Sequence, residues 1–103
     1  MAQSLISAKS GAREITLTVQ IWREDGAYVA YAPELDVSSC GNSLRQSKAR
    51  LRQAVGLFLE EAARRGTLEN ILAEAGFEKR GNTYRARRIL AKEKIRLAVP
   101  LAS

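Results

Sequence analysis

The run Glu14-Ile-Thr-Leu-Thr-Val-Gln-Ile-Trp-Arg-Glu-Asp-Gly-Ala-Tyr-Val-Ala-Tyr-Ala-Pro33 decides the architecture. Its first eight residues alternate strictly, with Ile15, Leu17, Val19 and Ile21 at one parity and Thr16, Thr18 and Gln20 at the other. A period of two belongs to an extended strand with one buried side. Glu24-Asp-Gly26 then supplies a short turn, and Ala27 to Ala32 is a second β-prone run, so the two form a hairpin. Pro33 ends the run because it cannot donate to a ladder. Val37-Ser-Ser-Cys40 reads as a third short strand closed by Gly41.

Beyond Gly41 the period changes. Ser43-Leu-Arg-Gln46 fits a reciprocal capping box, and Leu44, Leu51, Val55, Phe58, Leu59 and Ala62 recur at helical spacing. Arg45, Lys48, Arg52, Glu60 and Arg64 fall on the other side, and Gly66 after Arg64-Arg65 reads as the stop. The result is a helix of about six turns. Thr67 is expected to cap a shorter helix holding Leu68, Ile71, Leu72 and Ala75, closed by Gly76 with Phe77 folded back as an apolar anchor. Gly81-Asn82 marks a turn, and Lys94-Ile-Arg-Leu-Ala-Val99 alternates again and stops at Pro100, which reads as a last strand. The expected fold is α+β: a three-stranded antiparallel sheet packed on one long helix, with a short second helix and a C-terminal strand.

With 103 residues the chain builds one core. Residues 1–13, rich in Ser, Ala and Gly, read as a loose leader, 14–99 as the domain and 100–103 as a tail. No secretory signal or spanning segment is visible, which leads to the expectation of a cytoplasmic protein without a membrane partner. Cys40 is alone and suits a small buried filler more than a reactive thiol, and histidine is absent. Without imidazole, Ser-His and Cys-His nucleophiles and the commonest metal ligand are missing, so the sequence points away from an enzyme and assigns no cofactor.

Charge is uneven. Residues 1–78 hold nine Lys or Arg against ten Asp or Glu, while 79–103 hold eight against one, which together make the net +6. Arg85, Arg87, Arg88, Lys92, Lys94 and Arg96, with Tyr84, form a basic stretch able to meet phosphates without reading bases, or simply a solvated one. Glu34 and Asp36 stand two apart and point to one side of an extended backbone, the minimum for holding a cation. A nuclease would need a third or fourth carboxylate, and only Glu24 and Asp25 are near in sequence. Asp36 equally suits a turn-fixing hydrogen bond to backbone amides. Trp22 lies opposite the apolar parity of its strand, where a large aromatic suits an interface or packing against the last strand. Tyr28 is read as a core or cross-strand residue. Open sheet edges favour a homo-oligomer.

Asp25-Gly-Ala-Tyr-Val-Ala-Tyr-Ala-Pro-Glu-Leu-Asp-Val-Ser-Ser-Cys-Gly-Asn-Ser-Leu44 resembles the N-terminal domain of HicB antitoxins, and the likeness runs on through Ala49, Leu51, Ala54, Val55 and Leu59 and through Leu68 to Phe77. It covers about residues 14–77. The resemblance implies a partial RNase H-like fold without the nuclease's catalytic set, and a protein that binds and neutralises HicA, a small toxin that cleaves messenger RNA. In that setting Trp22, Glu24, Asp25, Glu34 and Asp36 are the expected partner-binding residues, the carboxylates competing for the toxin's RNA-binding cations. HicB antitoxins usually carry a C-terminal DNA-binding module, and the 26 residues after Phe77 leave no room for a whole one. The alternative is a nucleic-acid-binding transcriptional regulator acting through the basic segment, chiefly Arg85, Arg87, Arg88, Lys94 and Arg96.

Overall fold

A computed structural model describes residues 13–102; the leader residues 1–12 lie outside the described residues. The fold is α+β, with strands β1 (Glu14–Ile15), β2 (Gln20–Glu24), β3 (Ala27–Ala32) and β4 (Val37–Gly41), helices α1 (Leu44–Arg65) and α2 (Leu68–Glu74), then β5 (Glu78–Arg80) and β6 (Thr83–Arg85). Strands β2, β3 and β4 make an antiparallel sheet in that order, backed by α1. A second small sheet has the order β1-β6-β5, with β1 parallel and β5 antiparallel to β6.

Local chemistry accounts for most boundaries. Asp25 and Gly26 take φ of 52° and 80°, the two left-handed positions of a type I′ hairpin turn, whose twist matches the flanking strands. At the start of α1 the Ser43 hydroxyl accepts from the Gln46 amide at 3.0 Å, while the Gln46 side chain accepts from Asn42 at 2.6 Å. The expected reciprocal box therefore closes one residue earlier than read, and two orphan amides are still satisfied. Both helices end in a Schellman arrangement. After α1, Gly66 donates to Ala63 and Thr67 to Ala62; after α2, Gly76 donates to Ala73 and Phe77 to Leu72. Phe77 is buried there as the anchor. Thr67 makes no side-chain cap for α2, because its hydroxyl is turned back to the Ala62 carbonyl at 3.3 Å.

The core lies between the sheet and α1. Ala30 and Ala32 are fully buried under Leu51 and Val55, with Leu17, Ile21, Leu35, Val37 and Leu59 around them. Small residues on β3 let the helix approach closely. At the first turn Ser47 rather than Leu44 faces inward: Ser47 is fully buried, its hydroxyl donating to the Leu44 carbonyl at 3.0 Å, and Leu44 is exposed. Gly41 explains why. A Cβ on Gly41 would stand 2.8 Å from the Ser47 amide nitrogen, so β4 and the helix start are in direct backbone contact. Gly41→Ala is accordingly expected to cost about 1–3 kcal/mol through overpacking, read as a lowered urea midpoint at unchanged slope.

Two expectations are corrected. The strand read over Glu14 to Ile21 is split, with residues 16–19 outside any ladder. The Glu34 carboxylate accepts from both the amide of Thr18, at 3.1 Å, and its hydroxyl, at 2.6 Å, so the Thr18 amide keeps an acceptor outside any ladder while β1 joins β6. The last strand read over Lys94 to Val99 is not formed; the segment carries no helix or strand and its side chains are exposed. Alternation makes a chain strand-competent, but a strand also needs a partner edge within reach. The strand just before the segment, β6, is already paired on both sides, and residues 94–99 take up none of the edges left open on β1, β2, β4 and β5. The C-terminal strands are instead the hairpin β5–β6 around Gly81 and Asn82. Residues 86–102 form no helix or strand and are exposed, and the radius of gyration is 16.8 Å, against about 13 Å for a compact chain of this length.

Candidate functional site

Register places Gln20, Trp22 and Glu24 of β2 and Val29 and Tyr31 of β3 on the face away from α1, with Ile21, Arg23 and Tyr28 at the other parity. Trp22 pairs with Val29, Gln20 with Tyr31, and Val29 with Cys40, while Ala30 and Ala32 point to the helix. The sheet is a single layer, so this outer face has no cover within the described residues. Trp22 remains 42% exposed despite its size. Cys40, expected as buried filler, is exposed here as well, because the parity of β4 directs Val37, Ser39 and Gly41 to the helix side.

A continuous line of contacts crosses the face. The Trp22 indole nitrogen donates to Glu24 at 2.9 Å, and its ring meets that of Tyr31 edge-on, with centroids 6.0 Å apart and planes at 65°. The Tyr31 hydroxyl donates to Asp36 at 2.9 Å. Asp36 has a φ of 58°, a left-handed position that Asp tolerates better than most residues, and its carboxylate thus serves the phenol in place of the backbone amides expected from the sequence. Aromatic rings in the middle and carboxylates at both ends give an apolar centre with an anionic rim, and no Lys or Arg of the three strands shares this face.

Of the expected partner-binding residues, Trp22, Glu24, Asp25 and Asp36 therefore belong to one exposed face and its ends. Glu34 is occupied by Thr18 at the strand break. Glu24 and Asp25 sit beyond one end of β3 and Glu34 and Asp36 beyond the other, about 20 Å apart along a six-residue strand. The carboxylates do not meet, and among the described residues no three His, Cys, Asp or Glu side chains converge. Tyr31, which the sequence reading passed over, is the link between the two ends; its signal was its parity, opposite to the buried alanines. Tyr28 behaves as read, half-buried and directly across from Arg23, whose guanidinium lies 5.5 Å from its ring centre.

The hydrogen bond to Asp36 raises the Tyr31 phenol above its ordinary value near 10, with partial burial and the Asp36 charge acting the same way. The neutral phenol is thus favoured in the folded chain. That contribution is complete below pH 10 and is lost as pH rises through the higher folded value. Asp36→Asn is expected to bring tyrosinate absorbance in at lower pH than in the unaltered protein; identical titration curves would show that the bond is not made in solution.

The basic residues divide. Arg85, Arg87 and Arg88 border a surface hollow of about 650 Å³ together with Glu78 and Arg80. The Arg87 guanidinium is laid over Gly76, where a Cβ would collide with it. Lys94 and Arg96 lie farther along the extended segment and are exposed. On the helix side, an apolar groove of about 260 Å³ lies between residues 15–19 and α1, lined by Leu17, Val19, Leu51 and Val55 and edged by Lys48 and Arg52. Among the described residues no helix is long and apolar enough to cross a membrane. Comparison with protein-family models, curated proteins and solved structures gave no match for the chain.

Proposed function

We propose that this chain is an antitoxin-like binding protein of the HicB type, which neutralises a HicA-type mRNA-cleaving toxin by covering its cationic RNA-binding surface. The observation that carries the reading is the line Glu24, Trp22, Tyr31, Asp36 on an uncovered sheet face. A rigid aromatic pair supplies contact area with little side-chain entropy to lose, and the carboxylates at its ends supply complementarity to Lys and Arg of a toxin. The resemblance of residues 25–44 to HicB antitoxins names the class of partner. The RNase H-like ancestry and the cytoplasmic setting belong to the same proposal.

Co-expression with the HicA-type product of a neighbouring gene in a bacterial host tests it. The intact chain is expected to restore growth and to co-purify with the toxin, whereas Glu24→Lys combined with Asp36→Lys is expected to do neither. Absence of any complex with such a toxin would remove the reading.

The grouping of Arg80, Arg85, Arg87 and Arg88 around one hollow favours a second reading, a nucleic-acid-binding regulator. Duplex binding that weakens steeply with salt, and a shallower salt slope in Arg85→Glu combined with Arg88→Glu, would support it.

A further inference from the structure

The segment that leaves the body carries an uncovered apolar ridge. Ile95, Leu97, Val99 and Leu101 stand at every second position and are each at least 74% exposed, with Lys94 and Arg96 at the intervening parity. Strand-like alternation with one apolar and one cationic side calls for a sheet edge that offers an apolar surface on one face and carboxylates on the other. The chain's own β6 has no open edge.

Such an edge exists on β2. Among the described residues it pairs only with β3, and no strand of theirs takes the amides and carbonyls along its other side. Toward α1, the chain leading into β2 borders the open groove lined by Leu17, Val19, Leu51 and Val55. Toward the outer face stand Trp22 and Glu24. We infer that residues 94–99 of one chain add as a strand to the free edge of β2 in a second copy, and that the exchange is mutual. The apolar parity enters the groove. Lys94 and Arg96 meet the Trp22 ring and the Glu24 carboxylate. Lys48 and Arg52 at the groove's rim set the orientation, since they would repel the cationic parity from that side. Two such contacts related by a two-fold axis close the assembly at a dimer. The pairing needs no toxin, but it occupies Trp22 and Glu24, so a toxin bound at the outer face and the added strand would compete for them. Sedimentation of the chain alone reads the pairing without the toxin.

Sedimentation of the full chain over a range of concentrations tests it. A dimer is expected. Leu97→Glu should leave a monomer with unchanged circular dichroism, because Leu97 is 74% exposed and, among the described residues, lies outside the core. Glu24→Arg should weaken pairing by about tenfold, and Glu24→Arg together with Arg96→Glu should restore it. A chain that stays monomeric at every concentration would overturn the inference, as would a dimer that survives Leu97→Glu. Loss of the dimer in Leu97→Glu with full retention in Glu24→Arg would also overturn it, by showing that the extended segments pair with each other.

Discussion

On the proposed antitoxin function, Trp22→Ala is expected to weaken capture of a HicA-type toxin by roughly 30-fold, since truncating a central aromatic anchor costs about 2 kcal/mol or more. Trp22 is the largest side chain on the uncovered face, and its position is held at both ends of the indole, by Glu24 at the nitrogen and by Tyr31 at the ring. Removing it deletes the contact area and releases the Glu24 carboxylate and the Tyr31 ring from their fixed geometry. The fold should not suffer, because Trp22 belongs to no part of the buried core. Trp22→Phe separates the two contributions. It keeps most of the apolar area and loses the bond to Glu24, so its loss of affinity should fall between wild type and Trp22→Ala. Titration calorimetry on the purified pair, with circular dichroism as the control, reads the effect; an unchanged affinity would place the contact surface elsewhere.

Leu51→Ala is expected to be the most damaging single change to stability, at about 3–5 kcal/mol. Leu51 is 2% exposed and sits over Ala30 and Ala32. Its neighbours across the layer are methyl groups anchored to a strand, which cannot move to fill the space, so the cavity stays open and the cost falls in the upper part of the usual range. For a domain this small, with a stability of about 5–15 kcal/mol in all, that is a large fraction. Urea denaturation followed by circular dichroism should show a much lower midpoint at similar slope. Leu57→Ala on the same helix is the control. Leu57 is 66% exposed, and its change should stay within about 0.5 kcal/mol. Equal effects at both positions would mean that α1 does not pack on the sheet through Leu51.

Much of the fold was legible because it is written in short-range chemistry. Asp25-Gly26 can adopt the paired left-handed angles of a tight hairpin, Ser43 with Gln46 satisfies amides at a helix start, and Gly66 and Gly76 end helices where a Cβ would be strained. Each of these signals acts over a few residues, and each appears where it was read. The position of Trp22 on the outer face was legible for the same reason, since parity along a strand is a local property. At the capping box the outcome differs by one hydrogen-bond partner, whereas Thr67 is no side-chain cap at all, its hydroxyl donating back to the Ala62 carbonyl of α1.

The misreadings share a cause of another kind. Cys40 was read as buried from its residue type, and its parity on β4 sets it on the uncovered face. Tyr31 went unremarked although it joins Trp22 to Asp36. The break at residues 16–19 depends on Glu34, sixteen positions from Thr18, and the strand expected over 94–99 depends on whether an open edge lies within its reach.

Turns, caps, helix lengths and the parity of each strand follow from neighbours in the chain, and so amino-acid order was sufficient for them. Which strands pair, which sheet face is left bare, where the carboxylates end up and whether an alternating segment becomes a strand are settled between residues far apart in the chain. Backbone donors and acceptors there choose among several partners, and only packing of the whole chain decides which of them is within reach.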